Sequence, residues 1–324
     1  MNLQTLAKHS GCSVSTVSKA FSGSAEISDE TKNRIFNIAK ELGCFEKYSK
    51  EAYGKKLIAV LCPETESAYY TAFLSHINSC ISAQGGTMAI SLTGFSKETE
   101  AELISFYSSQ NHSDGIIVID GHTQVKKHIC VPTVYLNSAL DNHYTDVVNI
   151  DYYSGIYDAI LELKLNGHTK IGFIGEGFSK RKLDCFRSAM LNCGIPINED
   201  FIIISEKRFE PAGFEAMNKL LSLKDIPTAI FAAYDYIALG AIEVISRHGL
   251  SVPEDISIIG SDNIKLAHYN KIPISSIDPC AEEACKIIVE KLFYRINNPR
   301  YCSAQSITVH SRFISRKSIS SAKK

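Results

Sequence analysis

Over residues 1–42 the apolar positions recur at helical spacing and never alternate as in a strand. Leu3, Leu6 and Ala7 share one face of a helix expected over Leu3–Ser10. "SGCS" interrupts it, and Ser13 is placed to cap a second helix. There Val17, Ala20 and Phe21 fall on one side, with Val14, Ser15, Ser18, Lys19 and Ser22 on the other. After "SGSAEIS", Ser28 caps a third helix, "DETKNRIFNIAKELG", whose stripe is Ile35, Ile38, Ala39 and Leu42 and whose stop is Gly43. From Leu57 the texture changes. The runs "LIAVLC", "GTMAISL", "GIIVID", "PTVYLN", "KIGFIG", "TAIFAA" and "ISIIG" alternate with segments of helical period. Buried parallel strands alternating with helices produce that rhythm. Their ends carry Asp120, Asn137, Gly175, Tyr234–Asp235 and Gly260–Asp262, where doubly wound sheets bind ligands.

Composition narrows the class. The chain has 324 residues, 45% hydrophobic and 21% charged, with a formal net charge of −1. That is an ordinary globular balance, long enough for two or three domains, and it excludes a generally basic nucleic-acid binder while leaving room for a local patch. No run reaches the roughly 18 apolar residues of a membrane span and the N-terminus lacks a signal pattern, so a cytoplasmic location is expected. The ten cysteines are scattered without a CxxC pair, and reduced buried thiols are expected rather than disulfides. No GxSxG, HExxH or Walker A pattern occurs, and no histidine has a cysteine or carboxylate at metal-ligand spacing, so neither an enzyme nor a cofactor is expected.

"LQTLAKHSGCSVSTVSKAFSG" followed by "ISDETKNRIFNIAKELG" resembles the DNA-binding headpiece of the lactose- and galactose-repressor family of bacterial regulators. "NGHTKIGFIG", "PTAIFAAYDYIALGAI" and "LSVPEDISIIGSDN" resemble that family's periplasmic-binding-protein-like core, in the family's order. The resemblance implies an α/β fold: a three-helix helix-turn-helix domain, then a two-lobed doubly wound parallel-sheet core. The expected boundaries are a headpiece at 1–45, a linker or atypical hinge at 46–56, a core at 57–316 and a frayed tail at 317–324. Within the core, lobe 1 is expected at about 57–166 and 279–307, and lobe 2 at about 167–278 and 308–316.

By this resemblance the second helix lies in a major groove. Val14, Ser15 and Lys19 face base edges, and Ser13, Thr16, Ser18 and Ser22 hold phosphates. The family usually has arginine where Lys19 stands, which removes a bidentate fork. The family's Pro-containing hinge with a minor-groove leucine is replaced by "CFEKYSKEAYGKKLIAV". That segment offers Tyr48, Ala52 or Tyr53, and a plain charged linker with Lys47, Lys50, Lys55 and Lys56 near phosphates is the alternative.

For the core the resemblance implies a small-molecule effector, a sugar or sugar phosphate, between the lobes. Asp262 and Asp151 are the acidic contacts, and Asp151 also suits a helix cap. Lys182 stands where the family tends to use arginine, with Arg181 and Lys180 beside it, which favours a phosphorylated or carboxylated effector against the alternative of a solvated loop. Tyr234, Tyr69 and Tyr70 are placed to stack on a ligand, while Asp235 is expected to cap the helix that follows it. His168 is expected to cap a helix or pack locally. The implied protein is a homodimeric repressor on a pseudopalindromic operator, with Ile237, Ala241, Val244 and Ile245 as dimer anchors or lobe core. The alternatives are a regulator of the same fold governed by a protein partner or by no ligand, and, more remotely, a solute-binding protein.

Overall fold

The computed structural model describes residues 2–45, 47–48, 55–109, 112–123, 131–138, 145–298 and 303–323. It divides into two compact units, residues 1–56 with 85–87, and residues 57–84 with 88–324. The first carries α1 (Leu3–Ser10), α2 (Val14–Phe21) and α3 (Asp29–Glu41). Each starts where the sequence supplies a capping side chain. Asn2 accepts from the Thr5 N–H at 3.0 Å, Ser13 from Thr16 at 3.0 Å and Ser28 from Thr31 at 3.3 Å. Gly11, at φ 64°, ends α1 in the left-handed conformation that the tight turn into α2 requires. Leu6, Val17, Ala20, Ile35 and Ala39 form the buried centre. Phe21 is only half-buried, its ring 5.1 Å from Phe36 and 5.8 Å from Phe45. Tyr48 is buried in the same cluster, 5.7 Å from the Phe21 ring, so its aromatic surface is spent on the headpiece core rather than offered to DNA. Ala52, Tyr53 and Lys50 lie outside the described residues.

The second unit is built on two six-stranded sheets. The first contains β1 (Lys56–Cys62), β2 (Gly86–Leu92), β3 (Gly115–Ile119), β4 (Thr133–Leu136), β5 (Asp146–Asp151) and β11 (Ser306–His310), in the order β11-β5-β4-β3-β1-β2. The second contains β6 (Ile171–Glu176), β7 (Ile202–Ser205), β8 (Ala229–Ala232), β9 (Ser257–Ser261), β10 (Ser275–Asp278) and β12 (Arg312–Ile314), in the order β12-β10-β9-β8-β6-β7. The central pairings are parallel; β12 closes the second sheet antiparallel to β10. The helices are α4 (Ala68–Ala83), α5 (Lys97–Ser108), α6 (Tyr152–Leu165), α7 (Lys180–Asn192), α8 (Phe209–Leu221), α9 (Asp235–Arg247), α10 (Lys265–Tyr269) and α11 (Ala281–Asn297). Helices α4 and α11 pack together, and α11 lies on β3, β4 and β5. Helix α6 packs on β10 and β12. The chain therefore passes between lobes three times: after Asp151, between Asp278 and Ala281, and at Ser311. Strand β11 stays in the first sheet through His310, three residues beyond the expected lobe boundary.

Three expectations are corrected. The tail is not frayed: Ser318 is fully buried, its hydroxyl donates to the Ile258 carbonyl at 2.5 Å, and the Ala322 N–H donates to Asn166 at 2.8 Å. His168 ties this tail down, one ring nitrogen 2.9 Å from Thr228 Oγ1 and the other 2.9 Å from the Ser320 carbonyl. Of the two readings of Ile237, Ala241, Val244 and Ile245, the dimer anchor gives way to its lobe-core alternative: all four are fully buried in the lobe core. Asp235 does not cap α9. It turns inward, fully buried, to accept from the Ile264 N–H at 2.8 Å and the Ser276 hydroxyl at 2.7 Å. It thereby ties the start of α9 to the loop after β9 and to β10. Burial pushes its carboxyl up to about 8, against these hydrogen bonds.

The lobe core depends on close approach of α8 and α9. A Cβ on Gly213 would stand 2.0 Å from the Ile237 carbonyl oxygen, which is backbone and cannot swing aside. Gly213→Ala is expected to cost about 1–3 kcal/mol, read as a lower urea midpoint; an unchanged midpoint would contradict the packing. Asp235 generates a second prediction. Its folded-state pKa lies above the unfolded value of ~3.9, so the folded chain holds the proton more tightly. The stability this contributes is present at acid pH and is lost as pH rises toward about 8. Asp235→Asn lacks that titration. Urea denaturation should find the wild type losing ground to the variant between pH 5 and pH 8, and parallel pH profiles would refute the assignment.

Candidate functional site

In the headpiece, α2 presents one exposed face carrying Val14, Ser15, Ser18 and Lys19, opposite the buried Val17 and Ala20. Lys19 pairs with Glu26, with side chains 47% and 68% exposed, so the contact is screened and costs little to give up. The Ser13 hydroxyl caps α2 and lies 2.8 Å from Thr16 Oγ1. Ser22 donates to the Lys19 carbonyl at 3.1 Å. These hydroxyls make helix-local bonds and keep further hydrogen-bonding capacity, while those of Ser15 and Ser18 stand out from the helix.

In the core, a cleft of about 1190 Å³ opens at the carboxyl ends of the strands, between the two sheets. Tyr69, Tyr70, Asp151, Arg181, Lys182, Tyr234 and Asp262 all line it. Asp151, Tyr234 and Asp262 come from strand ends, and Tyr69, Tyr70, Arg181 and Lys182 from the first turns of the helices that follow β1 and β6. Of the seven described non-glycine residues with positive φ, five line this cleft: Phe95, Asp120, Asn137, Phe209 and Asp262. Asp and Asn tolerate that conformation, whereas Phe95 and Phe209 hold it at a cost, and such strain gathers at functional sites.

Lys182 is the centre of the floor. Its ammonium donates to Asp262 at 2.5 Å and to the Ala233 carbonyl at 2.9 Å. It also stands 4.5 Å from the Tyr234 ring centroid, 5.0 Å from Tyr152 and 6.0 Å from Tyr69. Burial pushes the Asp262 carboxyl up, and the Lys182 charge and hydrogen bond oppose that. Tyr69 and Tyr152 join hydroxyls at 2.9 Å, and Tyr70 donates to Asp120 at 2.7 Å. Burial raises all three phenols. Arg181 reaches the Ile150 carbonyl and Asn137 Oδ1, with its guanidinium 5.4 Å from the Tyr152 ring centroid. Asp151 caps α6 through the Tyr153 N–H at 2.9 Å and pairs with His310 at 2.8 Å. Hydrogen bonds from Ser154, His310 and Tyr153 outweigh its partial burial and hold its carboxyl below the usual range.

Sequence reasoning missed the mouth of this cleft. Phe95 and Phe178 stack with centroids 4.3 Å apart, and the Arg208 guanidinium lies 5.3 and 5.4 Å from them. Arg208 also faces Glu64 at 3.7 Å and Glu176 at 4.0 Å. None of these residues sits in a periodic pattern or a motif. Tyr152 carried a weak signal, as the residue after a strand end.

The chain resembles known proteins along nearly its whole length. The family described as "Bacterial regulatory proteins, lacI family" matches residues 2–44, and "Periplasmic binding protein-like domain" matches residues 160–319. The HTH-type transcriptional repressor PurR of Pasteurella multocida (strain Pm70) is 30% identical, with 98% of each chain covered. The HTH-type transcriptional regulator DegA of Bacillus subtilis (strain 168) is 32% identical, with 84% of each chain covered. Among solved structures, the lac repressor dimer bound to operator and the anti-inducer ONPF shares the fold at a TM-score of 0.75, with 19% identity and 98% of each chain covered. A complex of the transcriptional regulator CelR with cellobiose does so at 0.70, with 22% identity, 98% of this chain and 99% of that one covered. With the helix-turn-helix unit and the two-sheet core matched in one order, the chain belongs to the lacI family of bacterial regulatory proteins.

Proposed function

We propose that this regulator is a homodimeric repressor that reads a pseudopalindromic operator with Val14, Ser15 and Lys19 and responds to a small molecule held in the core cleft. The observation that carries the DNA half is α2 itself: its buried side is consumed by the headpiece core, and its exposed side carries the weakly held Lys19. Lysine donates to guanine O6 and N7, and Val14 offers apolar contact to a thymine methyl. Ser13, Thr16, Ser18 and Ser22, with nearby backbone N–H groups, are the phosphate contacts in this reading. It acts in the bacterial cytoplasm, where the operator is, and does no covalent chemistry. No described helix is long and apolar enough to cross a membrane.

The effector half rests on Tyr69, Tyr70, Asp151, Arg181, Lys182, Tyr234 and Asp262 lining one cleft. A sugar or sugar phosphate suits the mixture of tyrosine faces, carboxylates and cations there. In domain terms, residues 1–45 bind DNA, 46–56 link, and the two lobes from residue 57 onward sense.

The test is selection of binding sites from random duplex DNA with the full-length protein near physiological salt. A two-fold-symmetric site is expected, with affinity falling steeply with salt. Lys19→Ala should cost about 1–3 kcal/mol per half-site and relax one base position. Only uniform, salt-sensitive binding to all sequences would overturn the operator reading. Repeating the selection with sugars and sugar phosphates tests the effector, which must shift the selected affinity.

A further inference from the structure

Every group expected to meet an effector at the floor of the cleft already has a partner in this chain. Lys182 spends its charge on Asp262 and its remaining donors on the Ala233 carbonyl and the tyrosine rings. Its side chain is 8% exposed and that of Asp262 is 6% exposed. An ammonium set against three tyrosine faces and a buried carboxylate is the arrangement by which proteins hold a cationic ligand. Here the cation belongs to the protein.

The contacts to Asp262, the Ala233 carbonyl and Tyr234 stay within the second lobe, and others run from lobe to lobe. Lys182 is on α7 in the second lobe, and Tyr69 is on α4 in the first. Tyr69 continues the line to Tyr152, the first residue of α6, which packs on the second sheet. Arg181 of the second lobe donates to Asn137 and to the Ile150 carbonyl, both in the first. At the mouth, Phe178 and Arg208 of the second lobe meet Phe95 and Glu64 of the first. Phe95 holds a φ of 61° at that point, and Phe209, beside Arg208, one of 56°. Aromatic residues keep such backbone only where their surroundings fix it.

We propose that Lys182, anchored in its own lobe by Asp262 and the Ala233 carbonyl, is a tethered occupant of the cleft that holds the first lobe through the rings of the Tyr69–Tyr152 pair without any small molecule. An effector therefore has to compete with a residue of the chain itself. The resting state is the closed one, set by the protein, whether or not a small molecule enters the cleft.

The chain has no tryptophan, so Phe178→Trp supplies a single reporter at the lobe-to-lobe stack. The full-length reporter protein is freed of small molecules, as checked by native mass spectrometry, and titrated with acrylamide. Its tryptophan should be shielded. Lys182→Met should raise the quenching constant about twofold, as a closed population gives way to an open one. Tyr69→Phe, which removes the hydroxyl's contacts with Tyr152 and Asn137 and keeps the ring, should move it in the same direction. Lys182→Arg, which keeps a cation, should stay near the parent value. If Lys182→Met fails to fold because Asp262 is left unpaired, the Lys182→Met/Asp262→Asn double variant removes that charge and must show the same opening. A tryptophan already open to acrylamide in the small-molecule-free parent, or one indifferent to Lys182→Met or to the double variant, overturns the proposal. Either result leaves the effector reading standing, since that is judged by the response of operator binding to added sugars.

Discussion

Lys182 and Asp262 sit at the floor of the cleft with side chains 8% and 6% exposed, and neither is tolerable there without the other. Taking either charge out of water costs several kcal/mol or more. A pair at 2.5 Å recovers much of that only if the remaining donors and acceptors are also met. The Ala233 carbonyl and the Tyr234 ring meet those of the ammonium. Parallel strand order makes this possible: β8 and β9 are neighbours, so Ala233 and Asp262 emerge side by side at their carboxyl ends. The second sheet is thus committed to a polar centre of the kind that apolar pairs of similar volume often replace without loss of stability. A buried pair of this kind is better evidence for function than for stability.

Around that centre the chain accumulates further departures from the cheapest structure. Asp235 is fully buried, and burial together with the Asp262 charge pushes its carboxyl up to about 8. Glu64 Oε1, Glu176 Oε1 and Arg208 Nε are buried at the mouth without a hydrogen-bond partner among the described residues. Phe95 and Phe209 carry strained backbone beside them. Unmet polar atoms and strain are what a fold tolerates where a second arrangement has to be reachable. Three crossings of the chain between the lobes confine such a rearrangement to rotation about a narrow hinge.

The headpiece was almost wholly legible, because its helices announce themselves through caps, a glycine stop and one apolar face each. In the core the long apolar strands were equally plain. Strands β7, β10, β11 and β12 were not: they run three to five residues, and "SSID" or "SITVH" carries too little apolar signal to separate from a loop. The tail was misjudged for the same reason, since its serines read as solvated although Ser318 is buried by hydrogen bonding rather than by apolarity. For the site, residues at strand ends were found because topology sends them to one place. Phe95, Phe178 and Arg208 were missed because loop residues acquire their neighbours only from the approach of two lobes, which leaves no mark in the order of the chain. Even among the residues found, sequence types did not reveal that Lys182 and Asp262 would satisfy each other.

The two functional surfaces are built on opposite electrostatic terms. Lys19 and Glu26 meet in solvent, where the attraction is worth little and salt removes much of it, so the cation gives up its partner at little cost, as the proposed contact with a base edge requires. Lys182 and Asp262 meet where water does not screen them, and any exchange must replace the whole set of partners at once. A regulator needs both properties. In the proposed reading the DNA-contacting side chains change partners readily as the protein samples many sequences, while the cleft ignores every small molecule that cannot match what the chain already supplies. The same ammonium chemistry serves the two ends, and burial alone decides which of them is permissive and which is selective.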